Sequence, residues 1–166
     1  MTIQVHEAAQ LHEDTLAFLE RGRHELLISG EWVAPRSAEY FAVDDPATGM
    51  PIGMAAAAGE EDVNAAVEAA RAAFAPGSEW RRMTPQKRGE VLWKIADLIE
   101  AHGRELAELD TIDNGKPYRN SFHGDVQQAI THFRYDAGWT TKIEGAVNPV
   151  SYPNTLNYTR REPLGV

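Results

Sequence analysis

The chain has 166 residues, 43% of them apolar and 25% charged, which is the size and composition of one globular domain able to bury a sizeable core. A net charge of -9 repels phosphate backbones and anionic lipid surfaces, which argues against nucleic acid and membrane partners. The lack of cysteine removes disulfides, thiolate metal sites and a cysteine nucleophile from these residues, and it fits a cytoplasmic protein.

The acidity sits at the front: residues 1–62 hold 12 acids against 3 bases, and residues 63–166 hold 13 of each. The start carries no basic stretch followed by an apolar run, so it does not read as a secretory signal. The longest uncharged apolar stretch, Met50 to Gly59, is ten residues, short of the ~20 needed to span a bilayer.

In chain order, Leu11, Leu16 and Leu19 suggest a peripheral helix within Thr2 to Arg23. Leu26-Leu27-Ile28, a Ser29-Gly30 turn and Glu31-Trp32-Val33 read as a hairpin, and Phe41-Ala42-Val43 as a further strand. Asp45-Pro46-Ala47-Thr48-Gly49 has turn residues at turn positions, and Pro51 to Ala58 reads as a returning strand. Glu60, Glu61 and Asp62 place carboxylates where a helix N-terminus is electropositive, and Val63, Val67, Ala70 and Phe74 mark that helix's apolar face up to Pro76-Gly77.

Thr84 and Pro85 open the next helix as N-cap and first helical residue, with Val91, Leu92, Ile95, Leu98 and Ile99 as its buried stripe. After Gly103 the period resumes at Leu106, Leu109 and Ile112. Asn114-Gly115-Lys116-Pro117 then supplies a left-handed cap, a cation for the last carbonyls and a proline stop. A third helix is expected from about Asp125 to Thr141, with Val126, Ala129, Ile130, Phe133 and Ala137 on one face. Asn154 to Arg161 alternates with period two and reads as an exposed or interfacial strand, and the chain ends as a new apolar run begins, which reads as truncation.

Six histidines show no metal-ligand spacing, and no glycine-rich phosphate loop is present. Trp80, Arg81, Arg82, Lys87 and Arg88 look superficially like a nucleic-acid patch, but Glu79 and Glu90 among them favour a structural role. Asp110, Asp113 and Asn114 gather at a helix C-terminus, where carboxylates are disfavoured unless a cation or backbone donors compensate. They are either solvated acids or ligands of a hard monovalent cation.

Ile28-Ser29-Gly30-Glu31-Trp32, Asp45-Pro46-Ala47-Thr48-Gly49, the Asp62-to-Phe74 helix, Trp80 with Arg88, Asp113-Asn114-Gly115-Lys116-Pro117, Tyr135-Asp136-Ala137-Gly138-Trp139 and Arg161-Glu162-Pro163-Leu164-Gly165-Val166 resemble, in order and spacing, the opening part of the aldehyde dehydrogenase superfamily. The resemblance covers about residues 26–166. It implies an α/β fold with early short strands, three helices packing on a Rossmann-like cofactor domain, and a β-strand oligomerisation arm. Residues 1–25 are then a variable extension, 26–147 the N-terminal part of the cofactor-binding domain, and 148–166 the arm, truncated at 166.

The implied activity is NAD- or NADP-dependent oxidation of an aldehyde to a carboxylic acid through a cysteine hemithioacetal, in a cytoplasmic homodimer or homotetramer. Every catalytic and cofactor-binding residue would lie beyond Val166, leaving none in this chain, which alone would be inactive. The resemblance further implies a monovalent cation held by Asp113 and a backbone oxygen near Val43, and it turns Gln128 toward the substrate channel. The alternative is a stand-alone helical interaction module descended from such an enzyme.

Overall fold

Ser29 and Gly30 both hold positive φ, 56° and 84°, the mirror-image turn whose twist matches a two-residue hairpin. They join β2 (Leu26–Ile28) to β3 (Glu31–Val33) in antiparallel register, Ile28 opposite Glu31. The structure, a computed structural model, describes residues 11–166.

The second sheet has the order β1-β5-β4, with β1 at Arg23–His24, β4 at Tyr40–Asp44 and β5 at Pro51–Ala56. The turn between β4 and β5 is built by Asp45: its carbonyl accepts from Gly49 N–H at 2.7 Å and its carboxylate accepts from Ala47 N–H at 2.8 Å and the Thr48 hydroxyl at 2.9 Å. β4 and β5 are antiparallel with a bulge at Val43/Asp44, whereas β1 joins β5 in parallel, Arg23 opposite Met54. β1 was not expected from the sequence. It continues α1 (Glu13–Glu20) through Gly22, whose φ of 68° needs glycine. Residues 13–24, which the sequence assigns to an extension, are therefore built into the fold; the rest of the helix expected from Thr2 lies outside the described residues.

Helix α2 (Glu60–Phe74) begins where the acidic triplet placed it. Asp62 is buried, accepting from Gly59 N–H at 3.0 Å and from Arg36 N–H at 3.2 Å, so one carboxylate caps α2 and anchors the loop after β3. Asp62→Ala strands both donors, and a loss of about 2 kcal/mol in urea denaturation is expected. Val63, assigned to the apolar face, is half exposed.

A short helix α3 (Glu79–Arg82) leads to α4 (Pro85–Ala101), capped by Thr84 as expected. The nearby bases are engaged within the chain: Arg81 lies 4.7 Å from the Phe74 ring, Arg88 donates to Met83 O at 2.7 Å, and Lys87 pairs with Glu90 at 2.9 Å. Helix α5 (Gly103–Asn114) ends on Gly115 at φ 77°. Lys116 departs from expectation: its ammonium pairs with Asp125 and Asp110 rather than with the last carbonyls, because two carboxylates attract it more strongly than partial charges.

The third helix starts earlier than predicted. A turn at Tyr118–Asn120 (α6) and a π-helical turn at Ser121–Val126 run into α7 (Gln127–Trp139). The extra residue of the π-turn brings fully buried Ser121 against α5, where its hydroxyl donates to Asp110. Ala96, Ala107, Val126 and Ile130 form the core where α4, α5 and α7 meet, with Ile99, Phe122 and Phe133 packed against it. In the expected α4 stripe, Val91 and Leu98 are instead exposed and Ala96 is fully buried.

No strand forms over 154–161. The stretch folds back on its own chain through a single bridge, Val147 to Tyr158, with Thr159 N–H donating to Ala146 O at 2.8 Å and Asn148 N–H to Asn157 O at 3.0 Å. A polar alternating segment buries no face here, so nothing extends the ladder beyond this bridge. Among the described residues the five short strands form one three-stranded and one two-stranded sheet, and with the helices they give the expected α/β class.

Candidate functional site

The described residues offer no cofactor pocket of the phosphate-cradling kind. The N-terminus of α2 follows a glycine, but Asp62 fills it as a cap and Glu60 and Glu61 flank it. That end repels a pyrophosphate. No reaction step is assigned to these residues through a nicotinamide dinucleotide. Among the described residues no cluster of three or more histidine, aspartate and glutamate side chains could hold a metal ion.

A cavity of about 300 Å³ lies between α1, β1, β4, β5 and α5. Phe18, Leu19, Ile52 and Leu109 give it an apolar wall, and Val43 and Asp113 both line it. The two sequence-predicted cation residues thus meet at one cavity although 70 residues separate them. The α5 helix places Asp113 at its last turn, and the β4–β5 bulge shapes the backbone at Val43.

The cavity's other carboxylate is already committed. The Ser121 hydroxyl, reinforced by Lys116 at 3.7 Å and by Asn114, holds Asp110 below the usual carboxylate range against the opposing effect of burial. Asp113 has no side-chain hydrogen bond or ion pair among the described residues, so its charge is available. His24, stacked on Phe18 with centroids 4.1 Å apart, lines the cavity, and burial and Arg21 push it below the ordinary imidazole value. Gln128 is exposed near the start of α7 and does not line this cavity.

Sequence reasoning missed Glu108. This buried carboxylate accepts from Thr15 Oγ1 at 2.7 Å, from His12 N–H at 2.7 Å and from Arg104 Nε at 2.7 Å. Burial raises its pKa, but the Arg104, Thr15 and His12 donors together outweigh burial and hold it below the usual range. The one signal in the sequence was the Arg104–Glu108 spacing of four, which is indistinguishable from an ordinary surface pair.

Residues 32–166 match the aldehyde dehydrogenase family. The chain is 44% identical over 143 residues to the mitochondrial aldehyde dehydrogenase of Equus caballus, covering 86% of this chain and 28% of that protein. It is 42% identical over 142 residues to retinal dehydrogenase 2 of Homo sapiens, covering 86% and 27%. The NAD+ complex of an aldehyde dehydrogenase from Bacillus cereus superposes with a TM-score of 0.89 at 42% identity, covering 93% of this chain and 31% of that one. The chain therefore spans under a third of the length of these relatives.

Proposed function

This chain belongs to the aldehyde dehydrogenase family, and on that premise we propose that it is the opening part of an NAD(P)-dependent enzyme that oxidises an aldehyde to a carboxylic acid through a cysteine hemithioacetal. The observation that carries the proposal is a family match over 135 of these residues in a chain with no cysteine. The thiolate, the base that activates water and the cofactor-binding sheet then come from residues other than these 166. The structural neighbour's bound NAD+ supports a nicotinamide cofactor as hydride acceptor for the whole enzyme.

The part played by these residues is scaffolding. Trp93, Leu98 and Leu106 expose 50%, 51% and 41% of their surface, a large apolar area for helices of a finished domain, and it suits packing on a further sheet. Tyr152, Leu156 and Tyr158 are more exposed still, which supports residues 148–166 as an arm that pairs with another subunit in a homodimer or homotetramer. Among the described residues no helix is long and apolar enough to cross a membrane, and a cytoplasmic location is proposed. Gln128, exposed near the start of α7, is proposed to face the substrate channel.

The test is aldehyde-dependent NADH or NADPH formation and calorimetric titration with both cofactors, on the 166-residue chain beside a longer chain that contains it. Turnover and cofactor binding are expected for the longer chain alone. Turnover by the 166 residues overturns the reading, and inactivity of the longer chain with every aldehyde tried shifts it to the interaction module.

The cavity at Asp113 supports a second element of the proposal, a monovalent cation held by that carboxylate and the Val43 carbonyl. A ligand bound only to the folded state stabilises it by mass action. Potassium or sodium is accordingly expected to raise the melting temperature of the wild type and not of Asp113→Ala, compared with a bulky organic cation at matched ionic strength; equal responses remove the idea.

A further inference from the structure

We propose that residues 12–24 form a strap that walls one side of the Asp113 cavity, and that Glu108 is the positioning residue that seats it. Helix α1 is eight residues long, below the length at which a helix holds itself in water, so its docking decides whether it exists. Its two buried residues are Thr15 and Leu19, one turn apart on a single face. Thr15 is fully buried and donates its hydroxyl to Glu108 on α5, and the N–H of His12, the α1 cap residue, donates to the same carboxylate oxygen. Arg104 Nε takes the other oxygen, which fixes the carboxylate in the plane where both α1 donors meet it.

The strap's far end is tied separately. Gly22 O accepts from Met54 N–H at 3.0 Å, and β1 pairs with β5. Between the two anchors, Phe18 and Leu19 form one wall of the cavity, and β5 and α5 supply the facing walls through Ile52 and Leu109. The elements that hold the strap are therefore the elements that carry the rest of the cavity. Glu108 and Asp113 stand five residues apart on α5, so the seat and the cavity carboxylate move as one rigid piece. Asp113 itself is exposed, and Phe18 and Leu19 set how far the cavity beside it opens to water. Glu108 thus controls how tightly a cation is kept without touching it. This coupling rests on the cation reading above; the strap itself does not.

The test compares wild type with Glu108→Ala and the milder Thr15→Val in the longer chain, by hydrogen exchange and by the potassium dependence of the melting temperature. Amides of 13–22 are expected to exchange at least about tenfold faster in both variants, and to do so before the α7 amides begin to exchange. The potassium concentration giving half the stabilisation is expected to rise about tenfold. Asp113→Ala is expected to abolish the potassium response and leave 13–22 protected. Unchanged exchange at 13–22 in both variants overturns the strap, and faster exchange with an unchanged half-saturation overturns the coupling. No potassium response in wild type overturns the cation reading and the coupling with it, and the exchange data then decide the seat by themselves.

Discussion

Gly89→Ala is expected to destabilise the fold by about 2 kcal/mol, although alanine is the better helix former by about 1 kcal/mol. Gly89 is buried on α4 where α7 crosses it. A Cβ there would stand 2.8 Å from Thr140 Oγ1 and 2.9 Å from the Ala137 carbonyl oxygen. The threonine hydroxyl already donates to that same carbonyl at 2.9 Å, so the two neighbours are locked to each other and one of them is backbone. Relief requires α4 and α7 to separate, and their separation opens the core around Ala96, Val126 and Ile130. Gly138→Ala provides the control on the neighbouring helix: its Cβ meets only the flexible Lys142 Nζ at 3.7 Å, so the propensity gain stands and a stabilisation of about 0.5–1 kcal/mol is expected. Chemical denaturation of the two variants side by side checks opposite signs at two helical glycines; stabilisation by both would show that helix propensity, not interhelical contact, governs Gly89 as well.

The features legible in the sequence are those whose hydrogen bonds close within a few residues. Asp45 binds groups two to four positions on, Thr84 caps Lys87, and Gly115 accepts the left-handed φ that ends α5. Each is a local contest between turn and helix chemistry, and residue type decides it. Partner-dependent features were not legible. Periodicity found the apolar side of α4 but could not say that Ala96 meets α5 and α7 while Val91 and Leu98 stay partly exposed. β1 is two residues long and pairs with a strand thirty residues later, so no window on the sequence contains the reason for it. The pairing of Val43 with Asp113 at one cavity was legible only through family resemblance: Asp113 by itself is one acid among several at a helix end, and its meeting with Val43 is a product of topology. Glu108 was invisible for the same reason, since its Thr15 donor lies 93 residues away.

That hidden carboxylate carries the other large expected effect, a pH-dependent one. Glu108 sits below its ordinary value of 4.5 in the folded chain, so the folded state binds its proton less readily than the unfolded state does. The stability it contributes is fully present above the unfolded value and is lost as pH falls through the folded one. The charged and polar groups facing it are Arg104 from α5 and Thr15 and the His12 N–H from α1. Glu108→Gln keeps the shape but presents an amide donor where an oxygen accepted, so one of these donors is left facing another donor inside the fold. At pH 7 the variant is expected to be less stable than wild type by about 2–3 kcal/mol. As pH falls below 4.5 the unfolded chain binds the proton first; below the lower folded value the folded side chain binds it too and becomes a donor, so the gap between the two proteins is expected to close across that range. Asp110, also held low by Ser121 and Lys116, loses stability in the same acid range, but it does so in both proteins and cancels in the difference. Urea midpoints of the pair from pH 7 down to the acid transition measure that difference directly. A gap constant across the range would mean that Glu108 holds α1 through shape alone and that its charge contributes nothing.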